Sequence, residues 1–332
     1  MNGTPPSPSF ESVQAARTRI APFIRHTPLE PSSALSTRIG ASAFLKLECL
    51  QVTGSFKPRI SFNKLLSTSA EQRARGVVAS SAGGHGIGLA HASQTLGVPA
   101  QLFLPRSVDA RKLEVIQRYG VRTHFHESVE AARKAARAHA LEHAQLFVSA
   151  YNDADVIAGG GTVGVEIVED LPGVDLVVVG VGGGGLLSGM GLALERMAPS
   201  ARLWGVQPED SPVLTKWLEK GQPVPVETRP NIADGLGAQV ETDSLTFPLL
   251  QRFVDRMLLV SEADIRDAMA WLLEEHQLVV EPSGAAPVAA LLRNPPAGFR
   301  NVVAVITGRN ISRERYLNLL SAPSPPKNMG GS

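Results

Sequence analysis

Lys57 is the residue of this sequence best placed for covalent chemistry. It follows Gly54, Ser55 and Phe56 and opens a helix that the sequence predicts over residues 57–66. The positive end of a helix dipole disfavours a cation, and a neutral lysine amine can form a Schiff base with a carbonyl compound. A lysine that only extends into water is the alternative, and it would be preferred if this segment stood alone. The chemical interpretation therefore depends on whether other parts of the chain supply a ligand site.

Four consecutive glycines, 182–185, follow the most hydrophobic predicted strand, residues 176–182, and precede a predicted helix. Backbone N–H groups at the start of a helix bind anions, and glycines let the chain come close to a phosphate. Read from Gly180, the same loop also matches the dinucleotide-binding pattern, with Glu209 and Asp210 at about the expected distance. The loop thus predicts a phosphate site, and a nucleotide remains an open alternative.

A second glycine-rich loop follows the predicted strand 77–81 and could bind a carboxylate through its hydroxyl and amides. Its residues are Ser81, Ala82, Gly83, Gly84 and His85. Ser81 could equally cap the next helix, and His85 could serve only in packing. A third loop follows the buried strand 301–308 and carries Thr307, whose hydroxyl could bond a ring nitrogen or cap the sheet edge. Because ligands bind at the carboxyl ends of parallel strands, three such loops predict a ligand with more than one anionic group.

Helical and strand patterns alternate along most of the chain. Strands that are apolar on both faces belong in parallel sheets covered by helices, so the sequence predicts an α/β fold. Two parallel-type α/β domains are expected, the smaller (69–147) inserted in the larger (1–68 and 148–332). The termini, 1–12 and 322–332, are rich in Pro and Ser and are expected to be disordered. The predicted helices include 11–24, 86–97, 110–120, 127–144, 160–170, 186–197, 211–220, 262–276 and 282–293.

Composition and charge exclude several classes of protein. The chain has 332 residues, a formal net charge of +1 and 5% aromatic residues, which leaves no basic or base-stacking surface for nucleic acid. It has no run of about 18 apolar residues, so we expect no membrane span. Cys49 is the single cysteine, so no internal disulfide can form. Because no signal peptide is recognisable, we expect a cytoplasmic protein.

One histidine pattern could be mistaken for a metal site. His139, Glu142 and His143 match the inverted zinc-protease pattern on a single predicted helix. The surrounding segment is a solvated helix rich in Ala and Arg, and no third ligand follows at a suitable spacing. His124 and His126 share one face of a predicted strand and likewise lack a third partner. We therefore expect no metal site.

The order of the motifs is more specific than any one of them. Over residues 15–320 the chain resembles the threonine/serine dehydratase group of fold-type II pyridoxal-phosphate enzymes, which includes serine racemase and has a tryptophan synthase β-like fold. The resemblance rests on residues 26–29, 46–48, 53–57, 80–85, 155–159, 182–186, 233–235, 281–284 and 307–308. It implies the elimination of water and ammonia from a β-hydroxy L-amino acid such as threonine or serine, which gives a 2-keto acid.

The resemblance also implies roles for individual residues. Lys57 would carry pyridoxal 5′-phosphate as a Schiff base and remove the α-proton of the substrate. The other implied cofactor contacts are Phe56 beside the ring, Gly182, Gly183, Gly184, Gly185 and Leu186 around the phosphate, Thr307 at the pyridine nitrogen, and Gly84 and Gly235. The implied substrate-binding residues are Ser81, Ala82, Gly83 and His85. The partners would be a small amino-acid substrate and the second subunit of a homodimer.

The sequence departs from this group at several positions. Gly84 stands where the group usually has an asparagine that hydrogen-bonds the ring oxygen of the cofactor. Ala82 stands where serine racemase carries the serine that reprotonates the opposite face of the substrate, so racemisation is disfavoured. Gln207, Ser211 and Val213 lie where a racemase-like cation site needs carboxylates, and we expect that site to be absent or weak.

Other functions remain open beside elimination. A β-replacement synthase of the same fold shares every cofactor contact, so the cofactor residues cannot separate the two reactions. A racemase is disfavoured by the missing serine. A dinucleotide-binding protein that uses the loop from Gly180 to Gly185 would carry no chromophore on Lys57. A cofactor-binding protein without activity would be coloured but would not react with amino acids.

Overall fold

The computed structural model of the protein describes residues 7–81, 83–237 and 239–321. The predictions made for Ala82 and for residues 1–6 and 322–332 lie outside the described residues. Within the three described ranges, no helix is both long enough and apolar enough to cross a membrane.

The first helix, α1 (Phe10–Ile20), begins where we expected a disordered terminus. Residues 10–12 are helical because the chain has a capping box there, in which the side chain of Ser9 accepts from the backbone N–H of Ser12 and that of Ser12 accepts from Ser9. Val13 is fully buried in the same turn. The cap and the buried side chain offset the entropy that is lost when the helix start is ordered.

Helices and strands alternate after α1, which confirms the predicted α/β class. First come a 3-10 turn (Ala21–Phe23), β1 (Leu29–Pro31), α2 (Ser33–Ile39), β2 (Ser42–Lys46), a second 3-10 turn (Glu48–Leu50), α3 (Lys57–Ser67) and α4 (Ala70–Arg75). Next come β3 (Val77–Ser80), α5 (Gly84–Leu96), β4 (Ala100–Pro105), α6 (Ala110–Gln117), β5 (Arg122–His126), α7 (Val129–Glu142) and β6 (Leu146–Phe147). The rest are α8 (Ala154–Asp170), β7 (Leu176–Gly180), α9 (Gly185–Met197), β8 (Arg202–Pro208), α10 (Val213–Lys220), α11 (Thr246–Phe253), β9 (Arg256–Val260), α12 (Glu262–His276), α13 (Pro282–Arg293), β10 (Asn301–Val305) and α14 (Arg313–Ser321).

The strands form two sheets. The smaller has the order β5-β4-β3-β6, and the larger has the order β1-β2-β10-β7-β8-β9. Every neighbouring pair is parallel except β1 with β2. All four strands of the smaller sheet lie within the range 69–147, although the domain boundaries themselves stay a prediction. Because β10 lies between β2 and β7, the loops after these three strands meet at one edge of the larger sheet.

Strand β7 shows why the predicted strands had to be apolar on both faces. Leu176 and Val178 pack into one hydrophobic cluster, and Val177 and Val179 pack into another on the opposite side of the sheet. All four side chains are fully buried. Helices cover both faces of this strand. The chain leaves the core after the strand ends at Gly180 and enters the 182–185 loop.

Glycines hold α9 very close to α8. A Cβ atom on Gly189 would lie 2.1 Å from the carbonyl oxygen of Ile157, and one on Gly161 would lie 2.7 Å from the carbonyl oxygen of Gly189. A larger residue at either position would force the two helices apart. This close packing fixes the position of the amino end of α9, where the 182–185 loop ends.

Candidate active site

The side chain of Lys57 lies in crowded surroundings at the start of α3. Its Nζ lies 3.5 Å from the carbonyl oxygen of Ala150 and 4.6 Å from the centroid of the Phe56 ring. Helix α5 passes so close that a Cβ on Gly88 would lie 2.9 Å from the Cβ of Lys57. The structure therefore places Phe56 beside the lysine amine and fixes the base of the lysine side chain against α5.

Burial lowers the pKa of the Lys57 ammonium to about 8, and the Glu281 carboxylate acts in the opposite direction. A neutral amine is therefore accessible near neutral pH, as Schiff-base chemistry requires. The sequence argument attributed the neutral amine to the helix dipole at the start of α3. In the structure, the loss of hydration is the main cause, and the sequence alone could not show it.

The Thr307 loop lies against the segment that carries Lys57. The backbone N–H of Phe56 donates to the carbonyl oxygen of Thr307 at 3.2 Å, and Ser55 and Gly308 form an isolated antiparallel bridge. Thr307 itself is buried. The loops after β2 and β10 thus form one wall, and the third predicted loop lies next to the predicted lysine.

The four glycines at 182–185 form a cradle that has no room for side chains. A Cβ on Gly182 would lie 2.4 Å from the carbonyl oxygen of Gly235, and a Cβ on Gly183 would lie 2.3 Å from the Cγ of Tyr151. Gly184 has φ +87°, a conformation that residues with a side chain rarely adopt. The cradle opens α9, whose first turn also contains the buried Leu186. Its free backbone N–H groups suit a phosphate.

Tyr151 is a site residue that the sequence analysis missed. Its ring covers Gly183, and its hydroxyl accepts a hydrogen bond of 3.0 Å from the backbone N–H of Glu241. Burial raises the pKa of the Tyr151 hydroxyl, so the group stays neutral. The only available signal was an aromatic residue between the strand that ends at Phe147 and the helix that begins at Ala154. That signal is too common to single out one residue.

Gly84, at the start of α5, faces the lysine. A Cβ on Gly84 would lie 3.2 Å from the Oγ of Ser55 and 3.5 Å from the Cγ of Lys57. The Oγ of Ser81 accepts from the backbone N–H of Gly83 at 3.3 Å. Gly83 is the N-cap of α5, so the alternative in which the Ser81 hydroxyl caps this helix does not apply.

His85 is a buried, neutral histidine beside the lysine. Its Nε2–H donates to the carbonyl oxygen of Val148 at 3.2 Å, which leaves Nδ1 as an acceptor. Burial lowers the pKa of His85 to about 3, and the charge of Lys57 acts in the same direction. The packing and the functional interpretation of His85 therefore coexist, because one ring nitrogen holds the loop and the other is free to accept a hydrogen bond.

These features fit a cofactor that has a phosphate group at one end and a carbonyl carbon with which an amine can form a Schiff base. The glycine cradle offers N–H groups to an anion, and Lys57 offers the amine. Among the described residues, Ser55 Oγ and His85 Nδ1 are buried and have no hydrogen-bond partner. Buried polar atoms without partners cost free energy, so their presence beside Lys57 indicates that a polar ligand completes the site.

No metal site accompanies this arrangement in the described part of the chain. Across those residues, no group of three or more His, Cys, Asp or Glu side chains could hold a metal ion. The amide of Gln207 is engaged instead. Its Nε2 donates to the carbonyl oxygen of Val181 at 3.2 Å, and its Oε1 accepts from the backbone N–H and the hydroxyl of Thr215. In the predicted zinc-like pattern, His139 contacts the amide of Gln101 at 3.0 Å.

Comparisons with known proteins agree with this chemistry. The family profile described as "Pyridoxal-phosphate dependent enzyme" matches residues 20–308. An L-threonine ammonia-lyase from Thermotoga maritima is 41% identical over 308 residues, which cover 91% of this chain and 76% of that protein. An L-threo-3-hydroxyaspartate ammonia-lyase from Pseudomonas sp. is 36% identical over 315 residues, which cover 94% of this chain and 98% of that protein.

The fold also matches a solved structure. Maize serine racemase superposes with a TM-score of 0.90 at 30% sequence identity, covering 94% of this chain and 97% of that one. The predicted fold-type II architecture is thereby confirmed.

Proposed function

Because the chain belongs to the family of pyridoxal-phosphate dependent enzymes, we propose that it is an ammonia-lyase acting on a β-hydroxy L-amino acid such as threonine or serine. The products are a 2-keto acid and ammonia. The observation that carries the proposal is the Lys57 amine, which burial makes accessible in its neutral form beside the Thr307 and Gly84 loops. Two of the relatives compared are named ammonia-lyases, which supports elimination as the reaction.

Each predicted cofactor-binding residue has a place in this proposal. Bound pyridoxal phosphate supplies an electron sink that stabilises negative charge at the substrate α-carbon. Lys57 holds the cofactor, with Phe56 beside the ring and Thr307 at the pyridine nitrogen. The remaining cofactor contacts come from Gly84, Gly235 and the cradle formed by Gly182, Gly183, Gly184, Gly185 and Leu186.

Lys57 is also the base. Once the substrate amine has replaced Lys57 on the cofactor, the freed Nζ takes the proton from the substrate α-carbon. The Lys57 ammonium formed in this way gives a proton to the β-hydroxyl, which leaves as water. The enamine that is released hydrolyses to the 2-keto acid and ammonia. A pKa of about 8 suits this task, because the neutral amine can accept a proton near neutral pH and the ammonium can give it up again.

The 81–85 loop binds the substrate carboxylate in this proposal. Ser81 contributes its hydroxyl, which the Gly83 N–H holds in place, the start of α5 contributes backbone N–H groups, and His85 holds the loop through Val148. A neutral His85 binds no carboxylate itself, because its free Nδ1 is an acceptor; Nδ1 can instead receive a hydrogen bond from the substrate hydroxyl while the Nε2–H stays engaged.

The test is the visible absorption of the purified protein, supplied with pyridoxal phosphate, as L-threonine, L-serine and L-threo-3-hydroxyaspartate are added in turn. Keto acid is measured in the same samples. We expect a visible band that changes with substrate and keto acid that accumulates. Lys57→Ala should abolish both, whereas Lys216→Ala, which removes an exposed lysine paired with Glu219, should abolish neither.

Other outcomes separate the alternatives. A band that changes without keto acid would contradict elimination and favour β-replacement or racemisation, which assays for trapped nucleophile and for D-amino acid distinguish. A protein that stays colourless with added cofactor would overturn the role of Lys57. We also propose a homodimer, supported by the family resemblance, and light scattering on the loaded protein tests it.

A further inference from the structure

The hydroxyl group of Ser55 is a buried polar group at the candidate site that the proposed function does not use. Ser55 is 3% exposed, and no described residue forms a hydrogen bond with its Oγ. The carbonyl oxygen of Gly54 accepts from the backbone N–H of Arg309 at 2.8 Å, and the backbone N–H of Phe56 donates to the loop after β10 at 3.2 Å. Because these bonds fix the backbone on both sides, the hydroxyl has to find its partner in the space that it faces.

That space lies between the start of α3 and the start of α5. A Cβ on Gly84 would lie 3.2 Å from the Oγ of Ser55 and 3.5 Å from the Cγ of Lys57. The glycine at position 308 also makes room for Ser55, since a Cβ there would lie 3.2 Å from the Cβ of Ser55. The Ser55 hydroxyl therefore borders the space beside the lysine side chain, which a cofactor bound to Lys57 would enter.

The chemistry of pyridoxal phosphate indicates which of its atoms meets this hydroxyl. The carbon that binds the lysine is attached to the ring between two substituents, the arm that carries the phosphate and an oxygen. With the phosphate in the cradle after β7, the oxygen lies on the opposite side of the ring. Strand β10 separates β7 from β2, and the segment that follows β2 carries Ser55. Ser55 and the cradle thus lie on opposite sides of β10, as the ring oxygen and the phosphate lie on opposite sides of the bond to Lys57.

The ring oxygen requires a hydrogen-bond donor. It shares one proton with the nitrogen that joins the cofactor to the lysine, and it is negatively charged when that proton is on the nitrogen. A hydrogen bond donated to such an oxygen favours its charged form. The Ser55 hydroxyl can donate, whereas Nδ1 of His85, which is likewise buried without a partner, is an acceptor. Of these two groups, Ser55 is therefore the one that can stabilise the charge on the ring oxygen.

We propose that Ser55 is a further cofactor-binding residue, whose hydroxyl donates a hydrogen bond to the ring oxygen of pyridoxal phosphate bound to Lys57. The inference rests on the proposed role of Lys57 and adds one residue to its cofactor contacts. The hydrogen bond keeps the proton on the Lys57 nitrogen, and the carbon attached to a protonated nitrogen is attacked more easily by an amine. Ser55 thereby prepares the bound cofactor to accept an amino acid, and the glycine at position 84 keeps the space for this contact open.

The test reads the absorption spectrum of the loaded protein in the absence of substrate. The full-length protein is supplied with pyridoxal phosphate and freed of unbound cofactor, and its visible and near-ultraviolet bands are measured at one pH. The visible band reports molecules with the proton on the nitrogen, and the near-ultraviolet band reports those with the proton on the ring oxygen. In Ser55→Ala we expect the ratio of visible to near-ultraviolet absorption to fall about fivefold, which corresponds to about 1 kcal/mol for one hydrogen bond.

Two further variants make the result specific. Ser93→Ala is the matched control, because Ser93 is also buried and its Oγ also has no partner among the described residues. It lies near the end of α5, roughly 13 Å from the start of that helix, so its loss should leave the ratio of the two bands unchanged. Ser55→Cys keeps a side chain of similar size with a weaker donor, so the ratio should fall less than in Ser55→Ala.

The outcomes separate this inference from the proposed function. An unchanged ratio in Ser55→Ala would overturn the contact with the ring oxygen while leaving the role of Lys57 intact. An equal fall in Ser93→Ala would also overturn it, because the effect would then follow from the loss of any buried hydroxyl. If Ser55→Ala does not fold, an unchanged ratio in Ser55→Cys overturns the proposal in its place. Absence of both bands from the unaltered protein would overturn this inference and the proposed function together.

Discussion

The guanidinium of Arg59 donates two hydrogen bonds to the carboxylate of Glu166, at 2.7 and 2.8 Å, where water hardly reaches either group. The same guanidinium donates two more to Glu48, each of 2.8 Å, and Glu48 is also fully buried. Arg59 lies two residues after Lys57 on α3, while Glu166 lies on α8. The buried pairs therefore fix the start of the helix that presents the lysine.

We expect Arg59→Met to lower the free energy of unfolding by about 3–5 kcal/mol, because it leaves the buried carboxylate of Glu48 without a cation and that of Glu166 with Lys46 alone. Urea unfolding followed by circular dichroism measures the change. Arg17→Met is the matched control, since Arg17 pairs with Glu169 at the surface and its loss should cost at most about 1 kcal/mol. Equal effects of the two variants would contradict the structural role of the buried pairs.

We expect Gly183→Ala to weaken cofactor binding by roughly 1–3 kcal/mol, because the new methyl group overlaps the ring of Tyr151 and must displace the cradle. A titration of the cofactor-free protein, followed by the visible band, gives the dissociation constant. Gly173→Ala is the control, since its Cβ would meet only the side-chain amide of Asn301 at 3.3 Å. Normal affinity in Gly183→Ala would show that the loop is not the phosphate site.

We expect His85 to make the protein less stable as the pH falls from about 6.5 towards 3. Folding lowers the pKa of His85 to about 3, so between about pH 3 and 6.5 the unfolded chain binds a proton on this side chain and the folded protein does not. Stability from this group is complete above the unfolded pKa and is lost as the pH falls, with a slope approaching about 1.4 kcal/mol per pH unit. The measurement is the free energy of unfolding across this range, for the protein and for His85→Gln. The same acid slope in His85→Gln would contradict the assignment.

We expect turnover to be independent of divalent cations. The Gln207 amide already links Val181, at the end of β7, to Thr215 on α10, which joins the segment before the glycine cradle to its neighbour without an ion. The check is keto acid formation after exhaustive dialysis against EDTA, with and without added Mg²⁺. A loss of turnover that Mg²⁺ restores would contradict this prediction.

Much of the site could be predicted because its parts are local in sequence. Lys57 is the first residue of α3, and the four glycines follow β7 and lead into α9, whose first residue is Gly185. What the sequence could not supply depends on contacts between distant segments. Glu281 was visible only as part of a motif, because its environment comes from Lys112, Asp234 and Arg315 on other elements.

Some short helices and strands, and the protonation states of buried side chains, could not be predicted from the sequence either. Strand β9 and helix α11 were not predicted, since five and eight residues offer too little periodicity to be recognised. The neutral state of His85 depends on burial and on the charge of Lys57, which outweigh the hydrogen bond to the carbonyl oxygen of Val148. A sequence pattern contains the histidine but not the depth at which it is buried.

The position of β10 has a consequence for the order in which the protein can become functional during synthesis. This strand is the last to be translated of those in the larger sheet, yet it lies between β2 and β7. Until it has left the ribosome, the strands that lead to Lys57 and to the glycine cradle have no common neighbour. A nascent chain that stops before β10 therefore lacks both the strand that joins β2 to β7 and the Thr307 loop that lies against Phe56, so we expect cofactor capture to follow completion of this last strand.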